Sequence, residues 1–309
     1  MINIFFAAQP ELFPLYETHL KRFLKKEGIL ANLATHFAPI DVDYIIYAPN
    51  STVQDLTPYT RCKAVLNLWA GVETIVGNKT LTQPLCRMVD SGLQQGMNEW
   101  VTGHTLRYHL GMDKHIVNPK KVWDETHPCL AQDRPVTILG IGALGTACGK
   151  TLNSLGFPVT GWSRLPKKVQ GITCHHGPEG LHRALKAAQI LILLLPDTPQ
   201  TKNVLNAQTL AQMPKGSVIL NPGRGPLIDD NALVAALQEG HISAACLDVF
   251  RVEPLPQDHP YWSLKNVTVT PHIASGTRVV TAAEVVVENI ARGEQGLQFL
   301  HLVDRTTGY

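Results

Sequence analysis

The stretch Val136–Arg164 limits what this chain can fold into more than any other. A short apolar run, Val136-Thr137-Ile138-Leu139, leads into Gly140-Ile141-Gly142-Ala143-Leu144-Gly145, and a segment with apolar residues at helical spacing follows as far as Leu155. This pattern reads as strand, glycine turn and helix. The first glycine permits the tight turn, the second lets a pyrophosphate approach the backbone, and the third lets the helix pack on its strand. The N–H groups opening the helix and its positive dipole end suit a phosphate. A second strand is expected over Phe157–Trp162, completing a βαβ unit whose tip reads Trp162-Ser163-Arg164. NAD-selective units carry an acid about 20 residues beyond the glycines for the ribose 2′-OH. A hydroxyl and a guanidinium at this place suit a 2′-phosphate instead, so NADPH/NADP is expected, with NADH weaker.

A chain of 309 residues, 44% hydrophobic and 17% charged, is long enough for a buried core and two domains. A net charge of +2, from 27 basic and 25 acidic residues, argues against a general nucleic-acid binder. The six cysteines (62, 86, 129, 148, 174 and 246) show no paired spacing, so reduced thiols are expected. Cys174-His175-His176 is not a metal site on this reading, because zinc takes ligands from more than one spaced pair. His104, His109 and His115 do not share the i, i+4 face of a zinc helix, and packing or surface roles are expected for them. Met1–Phe6 lacks the marks of a signal peptide, and the apolar run Ile190–Leu195 is far too short to span a bilayer, so a soluble cytoplasmic protein with no membrane contact is expected.

Along the chain, strands are expected at Ile2–Ala7, Asp43–Ala48 and Ala64–Leu68, and helices at Glu11–Lys26 and Asn98–His115. A proline-punctuated connection over 117–134 follows. Further strands are expected at Ile190–Leu195, Ser217–Leu220, Ser243–Leu247 and Val267–Thr270, with helices at Thr201–Met213 and Asp230–Glu239. Six strands counted from Val136 make a doubly wound dinucleotide fold, where ligand chemistry collects beyond the strands' carboxyl ends. Those ends carry Pro196-Asp197-Thr198, Asn221-Pro222-Gly223-Arg224-Gly225, Asp248-Val249-Phe250 with Glu253 close behind, and Pro271-His272-Ile273-Ala274. A histidine beside a carboxylate makes a general acid, and an arginine can fork onto a substrate carboxylate and polarise its ketone. With a reduced nicotinamide, these groups suit reduction of a 2-oxo acid. Asp248 reads as a cap or a cofactor contact rather than a proton donor.

On these residues the chain resembles the D-isomer-specific 2-hydroxyacid dehydrogenases, and within them the bacterial glyoxylate/hydroxypyruvate reductase A group. The likeness is carried by Ala70-Gly71-Val72, the glycine turn, Trp162-Ser163-Arg164, Leu194–Pro199, Gly223-Arg224-Gly225, Leu247–Phe250, Glu253–Pro256, Thr270-Pro271-His272, and the tail Val303-Asp304-Arg305 with Gly308-Tyr309. It implies Arg224 as substrate binder, Glu253 as partner of His272, and His272 as proton donor. Ala70 and Gly71 would hold the substrate carboxylate through backbone amides, with Arg278 nearby. Cofactor contacts are expected from Gly140, Gly142, Ala143, Leu144, Gly145, Trp162, Ser163, Arg164, Leu195, Pro196, Thr198, Pro222, Gly223, Asp248 and Ala274.

The resemblance also implies a homodimer, and a Rossmann domain over 98–278 inserted into a smaller flavodoxin-like α/β substrate domain of 1–97 and 279–309. Two positions depart from the family pattern. Pro222-Gly223 replaces the usual Thr-Ala before the arginine, and Tyr47 stands nearest to a tryptophan that faces substrate in the subgroup. The activity implied is reduction of glyoxylate, hydroxypyruvate or a similar small 2-oxo acid. The alternatives are a nicotinamide-sensing protein of the corepressor type and a dehydrogenase of phosphoglycerate or a larger 2-oxo acid.

Overall fold

The apolar runs assemble into two all-parallel sheets in the computed structural model, which describes residues 1–116 and 118–308. Val117, where the proline-punctuated connection was expected to start, and the terminal Tyr309 of the tail motif lie outside the described residues. The chain divides into two compact units, 1–93 with 276–309, and 94–275. Expected boundaries at 97/98 and 278/279 differ from these by a few residues. One boundary falls inside a helix that the apolar spacing started too late.

The first unit contains β1 (Ile2–Phe6), α1 (Phe13–Lys26), β2 (Ala31–Ala34), β3 (Tyr44–Tyr47), β4 (Ala64–Asn67) and β5 (Leu85–Cys86). The strand order is β2-β1-β3-β4-β5, that of flavodoxin-like folds. Alternation along the strands sorts side chains between two cores. Ile4, Phe6, Tyr44, Ile46 and Leu66 pack with Leu20 and Leu24 of α1 and with Val286 and Ile290 of the C-terminal helix. Phe5, Ile45, Tyr47 and Val65 face the other way, into a cluster with Leu56, Tyr59 and Leu81.

Helix α2 (Ser91–His109) opens at the end of the first unit and runs into the second. Its true start lies seven residues before the expected Asn98 because buried Asp90 caps it, its Oδ1 accepting from Gly92 N at 2.9 Å and Leu93 N at 3.0 Å. The expected single helix to His115 is broken at Gly111, at φ 62°, and a short α3 (Asp113–Ile116) follows. Of its histidines, His109 is buried edge-on to Phe157, His104 packs at a tilt against Trp100, and His115 is exposed.

The second unit continues with β6 (Val136–Leu139), α4 (Ala143–Ser154), β7 (Val159–Ser163), β8 (Thr173–His176), α5 (Gly177–Ala187), β9 (Ile190–Leu193), α6 (Ala207–Leu210), β10 (Ser217–Asn221), α7 (Asp230–Gln238), β11 (Ile242–Leu247) and β12 (Val267–Val269). α8 (Val279–Glu294) returns to the first unit. The order β12-β11-β10-β9-β6-β7-β8 is the doubly wound one, reversing between β6 and β9. The sheet has seven strands rather than six. Thr173-Cys174-His175-His176 forms an outer strand with no buried residue, so it lacks the apolar run that marks its neighbours. Ile190-Leu191-Ile192-Leu193 of β9 is buried throughout, and each such side chain contributes about 1.5–3 kcal/mol.

The expected helix over Thr201–Met213 shrinks to the four residues of α6. Thr201, Asn206 and Thr209 turn their side chains onto local backbone groups, and Asn203 sits at φ 53°, so these residues cap and turn instead of propagating a helix. Burial pushes the thiols of Cys62, Cys86, Cys148 and Cys246 up to about 12. Among the described residues, no helix is long and apolar enough to cross a membrane.

Candidate active site

Because every strand of the second unit is parallel, the loops following β6, β7, β9, β10, β11 and β12 leave from one edge. At the first of them Gly140 has φ 108°, and a Cβ there would overlap the Leu194 carbonyl. A Cβ on Gly145 would overlap the Gly140 carbonyl, which is why α4 can start so close to its strand. Gly142 differs: a Cβ would meet nothing within 4 Å, it is exposed, and no side chain caps α4 above it. The start of α4 at Ala143 and Leu144 is therefore accessible, and its N–H groups make a cradle that fits a dinucleotide pyrophosphate. Trp162 turns its indole to Gly177 O at 2.8 Å, a packing role.

At the tip of β7, Ser163 is buried and donates to Leu165 O at 2.8 Å, so its hydroxyl holds the loop. What the tip does offer is cationic. Arg164 is exposed, and Lys167, which no motif singled out, folds its ammonium onto Ile141 O of the glycine turn at 2.6 Å. Its other two N–H donors remain to face an anion.

After β9, Leu195 is buried in the apolar core, and Thr198 is held by Thr201 through N–H···Oγ1 at 2.9 Å and a hydroxyl pair at 3.0 Å. These residues shape the loop, in which Pro196 is half-buried. After β10, buried Asn221 folds the next loop: its Oδ1 accepts from Gly223 N at 3.2 Å and its Nδ2 donates to Arg224 O at 3.0 Å. Gly223 lies so close to β9 that a Cβ would stand 2.7 Å from Leu193 O, which accounts for glycine after Pro222. Arg224 is half-buried and donates to Gly223 O at 2.7 Å.

His272 and Glu253 meet. His272 Nδ1 is 2.7 Å from Glu253 Oε2, while Glu253 Oε1 accepts from Phe250 N at 2.8 Å. A carboxylate on Nδ1 fixes that nitrogen as a donor and leaves Nε2 to exchange a proton elsewhere. His272 itself sits at φ 53°, a region that costs a non-glycine residue about 1–2 kcal/mol. Asp248 holds it there. Only 1% exposed, Asp248 accepts from Thr270 Oγ1 at 2.5 Å and Ile273 N at 2.9 Å on Oδ1, and from Ala274 N at 2.9 Å on Oδ2; its backbone O accepts from His272 N at 2.8 Å. Asp248 is thus the anchor of the histidine loop, and buried Ala274 contributes through its backbone.

In the first unit, Asn67 Nδ2 draws in two carbonyls, Trp69 O at 2.8 Å and Gly71 O at 3.0 Å. The Trp69-Ala70-Gly71 turn is held from within by a residue the motifs did not flag. Thr277 Oγ1 donates to Leu68 O at 2.9 Å, tying the segment that carries Arg278 to the same turn. Tyr47, at 2% exposure, belongs to the apolar cluster behind β3, and burial raises its phenol. Exposed Trp69 is the aromatic at the turn. Among the described residues, no group of three or more His, Cys, Asp or Glu could hold a metal.

Residues 105–274 match the family model described as D-isomer specific 2-hydroxyacid dehydrogenase, NAD binding domain. The chain is 39% identical over 255 residues to glyoxylate/hydroxypyruvate reductase A of Yersinia enterocolitica, covering 80% of this chain and 82% of that protein. The namesake protein of Serratia proteamaculans is 37% identical over 257 residues, covering 81% and 82%. Among solved structures, a D-isomer specific 2-hydroxyacid dehydrogenase from Xanthobacter autotrophicus Py2 in complex with NADPH and MES superposes with a TM-score of 0.92 at 36% identity, covering 100% of this chain and 99% of that one. An NADPH-dependent glyoxylate/hydroxypyruvate reductase from Sinorhizobium meliloti in complex with NADP and sulfate gives a TM-score of 0.85 at 29% identity, covering 100% of both chains.

Proposed function

Because the chain belongs to the D-isomer-specific 2-hydroxyacid dehydrogenase family, we propose that it reduces small 2-oxo acids of the glyoxylate and hydroxypyruvate class with NADPH, His272 giving the proton. Membership makes it an oxidoreductase. The observation that carries the finer reading is the 2.7 Å pair between His272 Nδ1 and Glu253 Oε2 on the edge that also bears the glycine turn. Preference for NADPH is supported by the cations Arg164 and Lys167 at the β7 tip and by the NADPH and NADP named with the two solved relatives.

In this reading residues 94–275 hold the cofactor: the amides of Ala143 to Gly145 take the pyrophosphate, and Arg164 with Lys167 take the 2′-phosphate. When bound, the reduced nicotinamide supplies the hydride. Arg224 binds the 2-oxo acid and offsets charge developing on its carbonyl oxygen. His272, as imidazolium, gives that oxygen its proton from Nε2 while Glu253 keeps the ring's orientation and stabilises its charge. The family likeness also suggests Ala70, Gly71 and Arg278 as donors for a carboxylate. A homodimer is part of the same reading, supported by exposed Leu110, Met112, Ile116, Val122, Trp123 and Leu130, an apolar series suited to burial against a second copy.

The test follows NADPH absorbance with glyoxylate, hydroxypyruvate and larger 2-oxo acids, with NADH in parallel. Turnover is expected with the small acids, faster with NADPH. His272→Asn should lower kcat by about 10²–10⁴-fold while NADPH still binds. Tight NADPH binding with no turnover of any 2-oxo acid would refute the reading and favour a nicotinamide-sensing protein.

A further inference from the structure

We infer that Arg251, braced by Asp230, is a positioning residue that clamps the loop bearing Glu253 to the loop bearing Arg224. The inference rests on the reading of Glu253, His272 and Arg224 given above. Arg251 lies two residues before Glu253, and its guanidinium crosses to the segment that follows Arg224. It donates to Ile228 O and to Asn203 Oδ1, reaches Pro226 O at 3.4 Å, and sets its Nε 3.3 Å from Asp230 Oδ2. The acceptors are themselves fixed. Asn203 occupies the left-handed region at φ 53° and donates its N–H to Pro226 O at 2.9 Å.

Asp230 is held from a third side by Tyr261, whose hydroxyl donates to Oδ1 at 3.0 Å. Burial raises the Tyr261 phenol, and the Asp230 charge adds to this, so the hydroxyl stays a donor. His259 Nε2 lies 4.0 Å from Asp230 Oδ2 and its ring packs on Tyr261. The backbone joins the same two loops directly: a Cβ on Gly225, the residue after Arg224, would overlap the Phe250–Arg251 peptide.

An isolated exposed ion pair would be worth little. Here one planar guanidinium engages acceptors on the 226–230 segment, to which its own loop is already pressed at Gly225, and a further acceptor on Asn203, so the gain is in geometry. Phe250 N holds Glu253 Oε1, and a shift of the 250–253 turn therefore moves the carboxylate away from His272 Nδ1. Misplacement of about 1 Å at a reacting group can cost about 100-fold.

The experiment uses the full-length protein with Arg251→Ala, Arg251→Lys, Asp230→Asn and, as reference, Glu253→Gln. It measures kcat and KM for glyoxylate, the NADPH Kd by fluorescence titration, thermal melting, and the primary isotope effect with 4-deuterated NADPH. Arg251→Ala should lower kcat by about 10- to 100-fold with the NADPH Kd within about twofold, and should raise the isotope effect as chemistry becomes limiting. Arg251→Lys should recover part of kcat. Asp230→Asn, which keeps its side-chain volume, should fall the same way and carries the test if Arg251→Ala does not fold. If Glu253→Gln is impaired while Arg251→Ala and Asp230→Asn turn over like wild type, the clamp is refuted and the reading of Glu253 stands. If Glu253→Gln also turns over like wild type, the reading of Glu253 fails and the clamp with it. A fall in kcat matched by equal losses in NADPH affinity and melting temperature, with no change in isotope effect, would also overturn the inference, because it describes general loosening.

Discussion

Replacing Asp248 with Asn tests whether this carboxylate positions the histidine loop or touches the cofactor. Two oxygens of Asp248 take three donors at 2.5–2.9 Å in a site that is 1% exposed. An asparagine has one oxygen and one NH2. With its oxygen at the Oδ1 position, it keeps Thr270 and Ile273 but sets NH2 against the Ala274 N–H. Flipped, it keeps Ala274 and sets NH2 against Ile273. Either way one N–H, buried at Ala274 or part-buried at Ile273, loses its acceptor, at a cost of about 1–3 kcal/mol. The loop can escape that cost by leaving its conformation, and His272 at φ 53° gains from leaving as well. Expressed in the placement of His272, the range corresponds to a fall in kcat of roughly 5- to 150-fold. The assay is glyoxylate reduction at saturating NADPH, paired with hydrogen exchange at the amides of residues 273 and 274, which should lose protection together with activity. Near-wild-type kcat with protected amides would refute the reasoning, and a raised KM for NADPH at unchanged kcat would reassign Asp248 to the cofactor.

Two further outcomes are expected. Arg164→Ala should remove a charge-assisted phosphate contact worth roughly 1.5–3 kcal/mol, weakening NADPH far more than NADH in titrations of each; equal weakening would show that the β7 tip does not read the 2′-phosphate. Glu294 takes the Tyr44 hydroxyl at 2.8 Å and the Lys63 ammonium at 2.7 Å; burial alone would raise its carboxyl, but these two partners outweigh burial and hold it below its ordinary value. A depressed folded value means that its stabilisation is complete at neutral pH and is lost as pH falls through and below the usual carboxylate range. Denaturant midpoints measured down that range should therefore fall more steeply for wild type than for Glu294→Gln, and parallel curves would discard the assignment.

Local chemistry by itself determined a good deal of this protein. The glycine turn, the buried runs of β6, β9 and β10, and the residues that end each strand are set by backbone sterics and by the demand that parallel strands be apolar on both faces, both of which act over a few neighbours. The fold class could therefore be named from the sequence, together with the loops that carry Arg224, Glu253 and His272. Tertiary structure decided whatever depends on partners distant in the chain. It brought Lys167 onto the glycine turn, 26 residues back in the chain. It buried Tyr47 in a core, and it made a strand of Thr173–His176, whose residues carry no apolar signal. Above all it decided Asp248, whose donors lie 22 to 26 residues further on. A carboxylate at a strand end carries no mark of what it will hold, because its partners arrive only when β11 and β12 pair side by side and deliver the next loop's N–H groups to its oxygens.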